Sequence, residues 1–208
     1  EILPSDWSSD VCSSDLALLK PLRIERVSSL LRPHVPPMPV SETMALFLAG
    51  LDVGTVIGIN LSASESARYW QEEKWGMLLD AFPDQRFLVF AAPKEPDRTV
   101  KARLEKCHAN VLPSPPTANL YEAGEIVRRL RLLVTPDTSL VHVASCYNVP
   151  LIGLYRNSKK ARTRFAPLSD WHRKLVSEGP DIGSITAEQV VGEVKRFCGS
   201  ASLVTGFS

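Results

Sequence analysis

From Thr55 onward, short apolar runs rich in Val, Ile and Leu alternate with longer segments whose apolar residues recur at helical spacing. The runs predict strands at Val56–Leu61, Arg86–Ala91, Asn110–Leu112, Leu132–Thr135 and Leu151–Tyr155, with a weaker sixth near Lys174–Ser177. Between them the spacing predicts helices over Glu72–Ala81, Asp97–Lys106, Asn119–Arg129, Ser139–Tyr147 and Ala187–Phe197. Strands that alternate with helices imply an α/β, Rossmann-like parallel sheet with helices on both faces, and ligands in the crevice beyond the strands' carboxyl ends. Met44–Leu61 is the most apolar stretch, and Asp52 interrupts it, so it reads as a helix end, a loop and a strand rather than a membrane span.

Upstream the pattern changes. Residues 17–32 carry a short helical spacing. Pro33, Pro36, Pro37 and Pro39 then remove backbone donors and fix φ, so Arg32–Val40 is expected to be an extended connector at a domain boundary. Residues 1–16 repeat Ser-Ser-Asp and are of low complexity; they resemble the translation of a sequencing adapter, against the alternative of a genuine Ser/Asp linker. The expected organisation is therefore a non-native segment at 1–16, a remnant of an upstream domain with its linker at 17–40, and one ligand-binding domain at 41–208.

Composition narrows the function classes. The 208 residues are 44% hydrophobic and 23% charged, enough apolar material for a sizeable core. The formal net charge of +1 offers no basic face for duplex nucleic acid, so no nucleic-acid partner is expected. Cys12, Cys107, Cys146 and Cys198 include no C-x-x-C pair and are too scattered for a disulfide framework, which fits a reducing compartment. Neither a secretory signal nor a membrane anchor is visible, and a cytoplasmic location is expected. The sequence lacks G-x-x-x-x-G-K-[ST], a G-x-G-x-x-G after a strand, H-E-x-x-H and G-x-S-x-G, and P-loop hydrolysis, Rossmann redox chemistry and zinc proteolysis all lose support. No D-x-D pair is present to hold a divalent metal on a nucleotide diphosphate, so neither metal nor cofactor is expected, and phosphate charge must be met by other means.

The strongest candidate chemistry lies in Val134–Ala144, where an apolar strand runs into Thr135, Pro136 and Asp137 before a helix. Asp137 or Thr138 suits the N-cap, and the first amides at Thr138, Ser139 and Leu140 would direct a helix dipole at an anion in the crevice. His142, three residues beyond Ser139 and four beyond Thr138, shares their helix face. The alternative is a purely structural cap with a core imidazole.

The run Asp137-Thr138-Ser139-x-x-His142-x-Ala144, with Asn148–Tyr155 after it, resembles the D-T-G-x-x-H-x-A motif and next strand of glycosyltransferase family 9, the ADP-heptose:lipopolysaccharide heptosyltransferases. The resemblance covers about Val56–Cys198 and departs at Ser139, where Gly is usual. A second segment, Ile59–Trp70 with Glu73 and Trp75, is similar to the family's strand end with small hydroxyl residues, then a basic residue and Trp; Ser64 and Arg68 match the positions that meet donor phosphates. Arg in place of the more frequent Lys keeps the charge and adds a fork suited to phosphate; read alone, it is a solvated loop charge. In the third segment, Val89–Asp97, Glu95 is the candidate for the family's ribose-binding acid, although Ala91 and Ala92 stand where glycines are usual and Asp97 is a competing helix cap. Leu112–Thr117 falls where the family packs adenine. The basic run Lys159, Lys160, Arg162 and Arg164 reads as a solvated face or as an approach to phosphates or anionic lipid.

The resemblance implies the C-terminal, nucleotide-sugar-binding domain of a GT-B glycosyltransferase. Its donor would be ADP-heptose and its acceptor lipopolysaccharide or another glycan. Transfer would be inverting and metal-independent, with the general base in a largely missing N-terminal domain and peripheral contact with the inner membrane. The expected donor-binding residues are Ser64, Arg68, Glu95, Asp137, Thr138, Ser139 and His142, and the catalytic residues are unknown. Two alternatives stay open: another GT-B nucleotide-sugar enzyme, either an epimerase or a UDP- or GDP-sugar transferase, and a non-catalytic α/β ligand-binding domain.

Overall fold

A computed structural model describes residues 32, 34–36, 38–157 and 167–204, with backbone alone for 200–204. The low-complexity stretch at 1–16, nearly all of the helix expected over 17–32, and the basic run at 159–164 lie outside the described residues. In chain order the elements are α1 (Glu42–Ala49), β1 (Ile57–Asn60), a 3-10 turn (Ser66–Arg68), α2 (Glu72–Asp80), β2 (Phe87–Phe90), α3 (Asp97–Cys107), β3 (Val111–Leu112), α4 (Leu120–Val127), β4 (Leu132–Pro136), α5 (Ser139–Cys146), β5 (Leu151–Tyr155), β6 (His172–Val176), a second 3-10 turn (Ile182–Ser184) and α6 (Ala187–Val204). The described connector residues between Arg32 and Val40 form neither helix nor strand.

The six strands make one sheet in the order β3-β2-β1-β4-β5-β6, and every neighbouring pair is parallel. β1 and β2 are buried along their whole length because alternate side chains enter two separate cores. Ile57, Ile59, Phe87, Val89, Leu132 and Val134 face α2, α3 and α6, whose Trp75, Leu78, Leu79, Leu104, Val190 and Val194 fill one layer. Leu88, Phe90, Leu133 and Leu151 face α1, α4 and α5, with Met44, Leu48, Ile126, Val127, Val141 and Ala144 in the other. Helices thus cover both faces, as a near-continuous apolar strand pattern requires. Gly58 permits this packing in mid-strand, since a Cβ there would lie 2.5 Å from Leu130 Cδ1 and 3.0 Å from Phe90 Cε2.

The differences from expectation lie at element ends and at the edge of the sheet. β6 begins two residues before the expected Lys174, because Leu151 pairs with His172 and Tyr155 with Val176, a register that the exposed sequence HRKLV does not advertise. α6 continues to Val204, past the expected end at Phe197. β4 extends to Pro136, which pairs with Leu154, so Asp137 leaves the sheet directly at its carboxyl edge. Chain order reverses between β1 and β4, and at such a switch point the flanking loops part to leave a crevice.

Candidate functional site

The crevice at that switch point is an open cavity of about 650 Å³ above the carboxyl ends of β1, β2 and β4. Ser64, Arg68, Asp137, Thr138, Ser139 and His142 all line it, although 78 residues separate the first from the last.

Asp137 leaves β4 with its N–H donated to Leu154 O at 3.1 Å, which fixes the turn into α5. Thr138 rather than Asp137 is the N-cap, and its Oγ1 accepts from Leu140 N at 3.4 Å. The Asp137 carboxylate is therefore not engaged in capping. Its side chain is buried, and Oδ2 has no hydrogen-bond partner. Burial pushes this carboxyl above the usual aspartate range, while the positive charges of Arg68, His142 and Arg156 pull the other way. His142 stands one turn into α5 on the cavity wall. Desolvation by the cavity wall holds the imidazole below its ordinary value, opposed by the charge of Asp137. The residue is exposed, so it is not a buried core imidazole. At the start of α5, Leu140 N is taken by Thr138 Oγ1 and Val141 N by Thr138 O, so the amides offered toward the cavity, with the positive end of the helix dipole, are those of Thr138 and Ser139.

Arg68 closes the 3-10 turn after β1. That turn is anchored by Trp70, whose indole Nε1 donates to Ile185 O at 2.8 Å and whose ring meets Trp75 edge to face at 4.6 Å. Trp70 is a packing residue, and by fixing the turn it aims Arg68. The guanidinium Nη1 donates to Asp137 O at 3.0 Å and lies 3.9 Å from Asp137 Oδ2. At 19% side-chain exposure, Arg68 is not the solvated loop charge that its sequence position alone allows.

Glu95 is the exception among the expected residues. It is exposed, does not line the cavity, and its Oε2 accepts from both the backbone N–H (3.3 Å) and the Oγ1 (2.6 Å) of Thr99, four residues on. The carboxylate thus caps α3, an arrangement favoured for an acid at a helix start. Asp97 does not serve that purpose: it sits buried in the first turn and accepts from the Tyr69 hydroxyl at 3.3 Å. On this wall the cavity meets Lys94 instead, whose Nζ donates to Ala63 O at 3.4 Å.

Two further lining residues, Asn60 and Ser62, organise the site from outside the motifs. Asn60, the buried last residue of β1, donates from Nδ2 toward Thr135 Oγ1 (2.9 Å), Thr138 Oγ1 (3.2 Å) and Ser62 O (3.2 Å), and its Oδ1 accepts from Ser62 N at 3.1 Å. It ties the β1 loop to the α5 cap. Ser62 in turn accepts from Ala92 N at 2.6 Å, which joins the β1 and β2 loops. An amide ending the apolar run VIGIN is the signal that could have marked Asn60. Phe90, Ala91, Leu120 and Ala123 give the opposite end of the cavity an apolar lining, beside Thr117 and Asn119.

A family model described as glycosyltransferase family 9 (heptosyltransferase) matches residues 41–189. The chain belongs to this family. Among solved structures, E. coli ADP-heptose lps heptosyltransferase II is similar at a TM-score of 0.63 and 22% identity, over 83% of this chain and 57% of that one. E. coli heptosyltransferase WaaC with ADP-2-deoxy-2-fluoro heptose gives 0.61 and 20%, over 74% of this chain and 47% of that one. A glycosyltransferase family 9 protein from Veillonella parvula gives 0.61 and 19%, over 80% and 53%. These likenesses confirm the Rossmann-like fold, and the chain spans about half the length of those structures. No curated protein matches it. Among the described residues, no helix is long and apolar enough to cross a membrane, and no three His, Cys, Asp or Glu side chains are grouped to hold a metal ion.

Proposed function

We propose that this chain carries the donor-binding half of a glycosyltransferase that takes ADP-heptose and transfers its sugar to the lipopolysaccharide core or a related glycan. The observation that carries the proposal is the buried, unpartnered Oδ2 of Asp137 at the cavity floor beside Arg68 and the start of α5. A buried acceptor without a donor costs free energy unless a ligand supplies one, and a sugar hydroxyl is such a donor. In this reading the diphosphate lies against the first-turn amides of α5 and the guanidinium of Arg68, Thr138 and Ser139 contribute backbone donors, Ser64 and His142 flank the phosphates and sugar, and the apolar wall at Phe90, Ala91, Leu120 and Ala123 takes the base. Family membership and the ADP-sugar bound to the E. coli relative support the choice of donor.

The chemistry is an inverting displacement. An acceptor hydroxyl attacks the anomeric carbon, the bond from that carbon to the diphosphate oxygen breaks, and ADP leaves with the electron pair. Arg68 and the amides stabilise the developing negative charge, and no metal ion is required for that step. The groups that bind the acceptor and take its proton are assigned to the half of the relatives that this chain does not cover. The chain alone is therefore expected to bind ADP without transferring sugar, in the cytoplasm and at most in peripheral contact with the inner membrane.

Asp137→Ala tests the reading. The substitution removes the carboxylate yet keeps the main-chain carbonyl to which Arg68 donates, and it leaves the Thr138 cap in place. Calorimetric titration should show ADP-heptose binding more tightly than ADP to the wild type and equally to the variant. Equal binding of both ligands to the wild type would overturn the assignment of Asp137 to the sugar.

A further inference from the structure

Beside the cavity, and outside its lining, Glu65 and Arg156 form with Arg68 a charge arrangement that the donor contacts above use only in part. Glu65, immediately before the 3-10 turn, divides its two oxygens between two arginines: Oε1 is 3.4 Å from Arg68 Nη2 and Oε2 is 2.9 Å from Arg156 Nη2. Arg156 directly follows β5. The two guanidiniums therefore stand at the carboxyl ends of β1 and β5, on either side of β4, which delivers Asp137. Both arginines are largely enclosed, at 19% and 30% side-chain exposure, and the Nε of each is buried with no hydrogen-bond partner. Glu65 is the exposed member at 48%.

A half-exposed carboxylate gains little from such pairing, because solvent screens the charges and the side chain must be held still. Two enclosed guanidiniums with unspent donors form the opposite kind of site, one that a multiply charged anion satisfies better than a single carboxylate does. Arg68 by itself is poorly placed to do this. The Asp137 carboxylate, 3.9 Å away, already offsets part of its charge and would repel a phosphate brought alongside. A second cation is needed there.

We propose that Arg68 and Arg156 together clamp the diphosphate, and that Glu65 is an internal placeholder, pairing with both arginines until the diphosphate displaces it. The inference rests on the nucleotide-sugar reading for the ligand's identity. The clamp itself recognises a diphosphate, whatever is attached to it.

The experiment titrates ADP, AMP and inorganic pyrophosphate into the full chain and into the E65Q, R156A and R156K variants by calorimetry, after thermal melts confirm that each variant folds. E65Q should bind ADP and pyrophosphate about tenfold more tightly than wild type, equivalent to about 1.4 kcal/mol. R156A should bind both about tenfold more weakly, R156K should fall between R156A and wild type, and AMP should respond least. If E65Q binds ADP no better than wild type, the carboxylate is not a placeholder; if R156A binds it equally well, Arg156 is not part of a clamp. Either result with ADP still bound by wild type overturns this inference and leaves the nucleotide reading standing. The expected order with pyrophosphate, without any ADP binding, would retain the clamp and overturn the nucleotide reading. No binding of either ligand to any protein would overturn both.

Discussion

Asn60→Ala is the substitution for which the structure gives the most determinate outcome. The amide makes four close contacts, but Nδ2 has only two hydrogens to share among Thr135 Oγ1, Thr138 Oγ1 and Ser62 O, so with the bond accepted from Ser62 N the side chain is worth three hydrogen bonds. At about 1 kcal/mol net for each, truncation removes about 3 kcal/mol. Two features reduce this figure: Thr135 Oγ1 keeps its bond to Pro136 O at 2.9 Å, and Ser62 is half-buried and can recruit water. The expected loss is therefore about 2 kcal/mol, a large fraction of a typical domain's stability. Urea unfolding should show it as a lower midpoint at unchanged m-value. The same variant frees the β1 loop from the α5 cap, so ADP affinity should fall even though Asn60 is not assigned a direct ligand contact. A midpoint shift equivalent to less than about 0.5 kcal/mol, the range of ordinary surface changes, would refute the claim that Asn60 organises the site.

Arg68→Ala should weaken ADP by about 1.5 to 3 kcal/mol, the range for hydrogen bonds to a charged group, and weaken AMP less; equal loss for both, measured by calorimetry, would place the guanidinium away from the terminal phosphate. The pH dependence of stability should divide between two groups. His142 is held below its ordinary value of 6.5, so the unfolded chain binds more protons just below that pH, and stability is lost as pH falls from 6.5 through the folded value; H142Q should flatten this window. Glu122 is held below 4.5 by bonds from Ala118 N, Ser41 N and Ser41 Oγ, so its contribution is complete above 4.5 and lost as pH falls through its folded value; E122Q should flatten only that lower window in urea midpoints taken across pH. Asp137 slopes oppositely, being raised, so the differences between each variant and wild type carry the result rather than the raw curves.

The sheet was legible because every strand of its interior is apolar on both faces, a pattern that only double coverage by helices explains. The edge strand β6 begins two residues before its expected start, since its exposed residues include the adjacent charges of Arg173 and Lys174 and its register is set by β5 rather than by its own sequence. The α5 start was legible for a local reason: strand, breaker, cap and helix follow one another within a few residues. Arg68 was recognisable only by resemblance, because its enclosure depends on Trp70 and on Asp137 O, far away in sequence. Glu95 misled for a related reason. A carboxylate at a strand end followed by a helix serves equally as a ligand or as a cap, and here Thr99 engages it. Asn60 carries only the faint signal of an amide ending an apolar run, and the Glu65–Arg156 pair carries none, since their partners come from other loops of the sheet.

The central claim is that the crevice at the β1/β4 switch point is an adenine nucleotide-sugar site. Its most direct test is calorimetric titration of the wild-type chain with ADP, UDP and GDP under one set of conditions. The account predicts binding of ADP, at modest affinity because the open crevice admits water beside the bound diphosphate, with UDP and GDP clearly weaker. Binding of none of the three at any accessible concentration, or equal binding of all three, would contradict it.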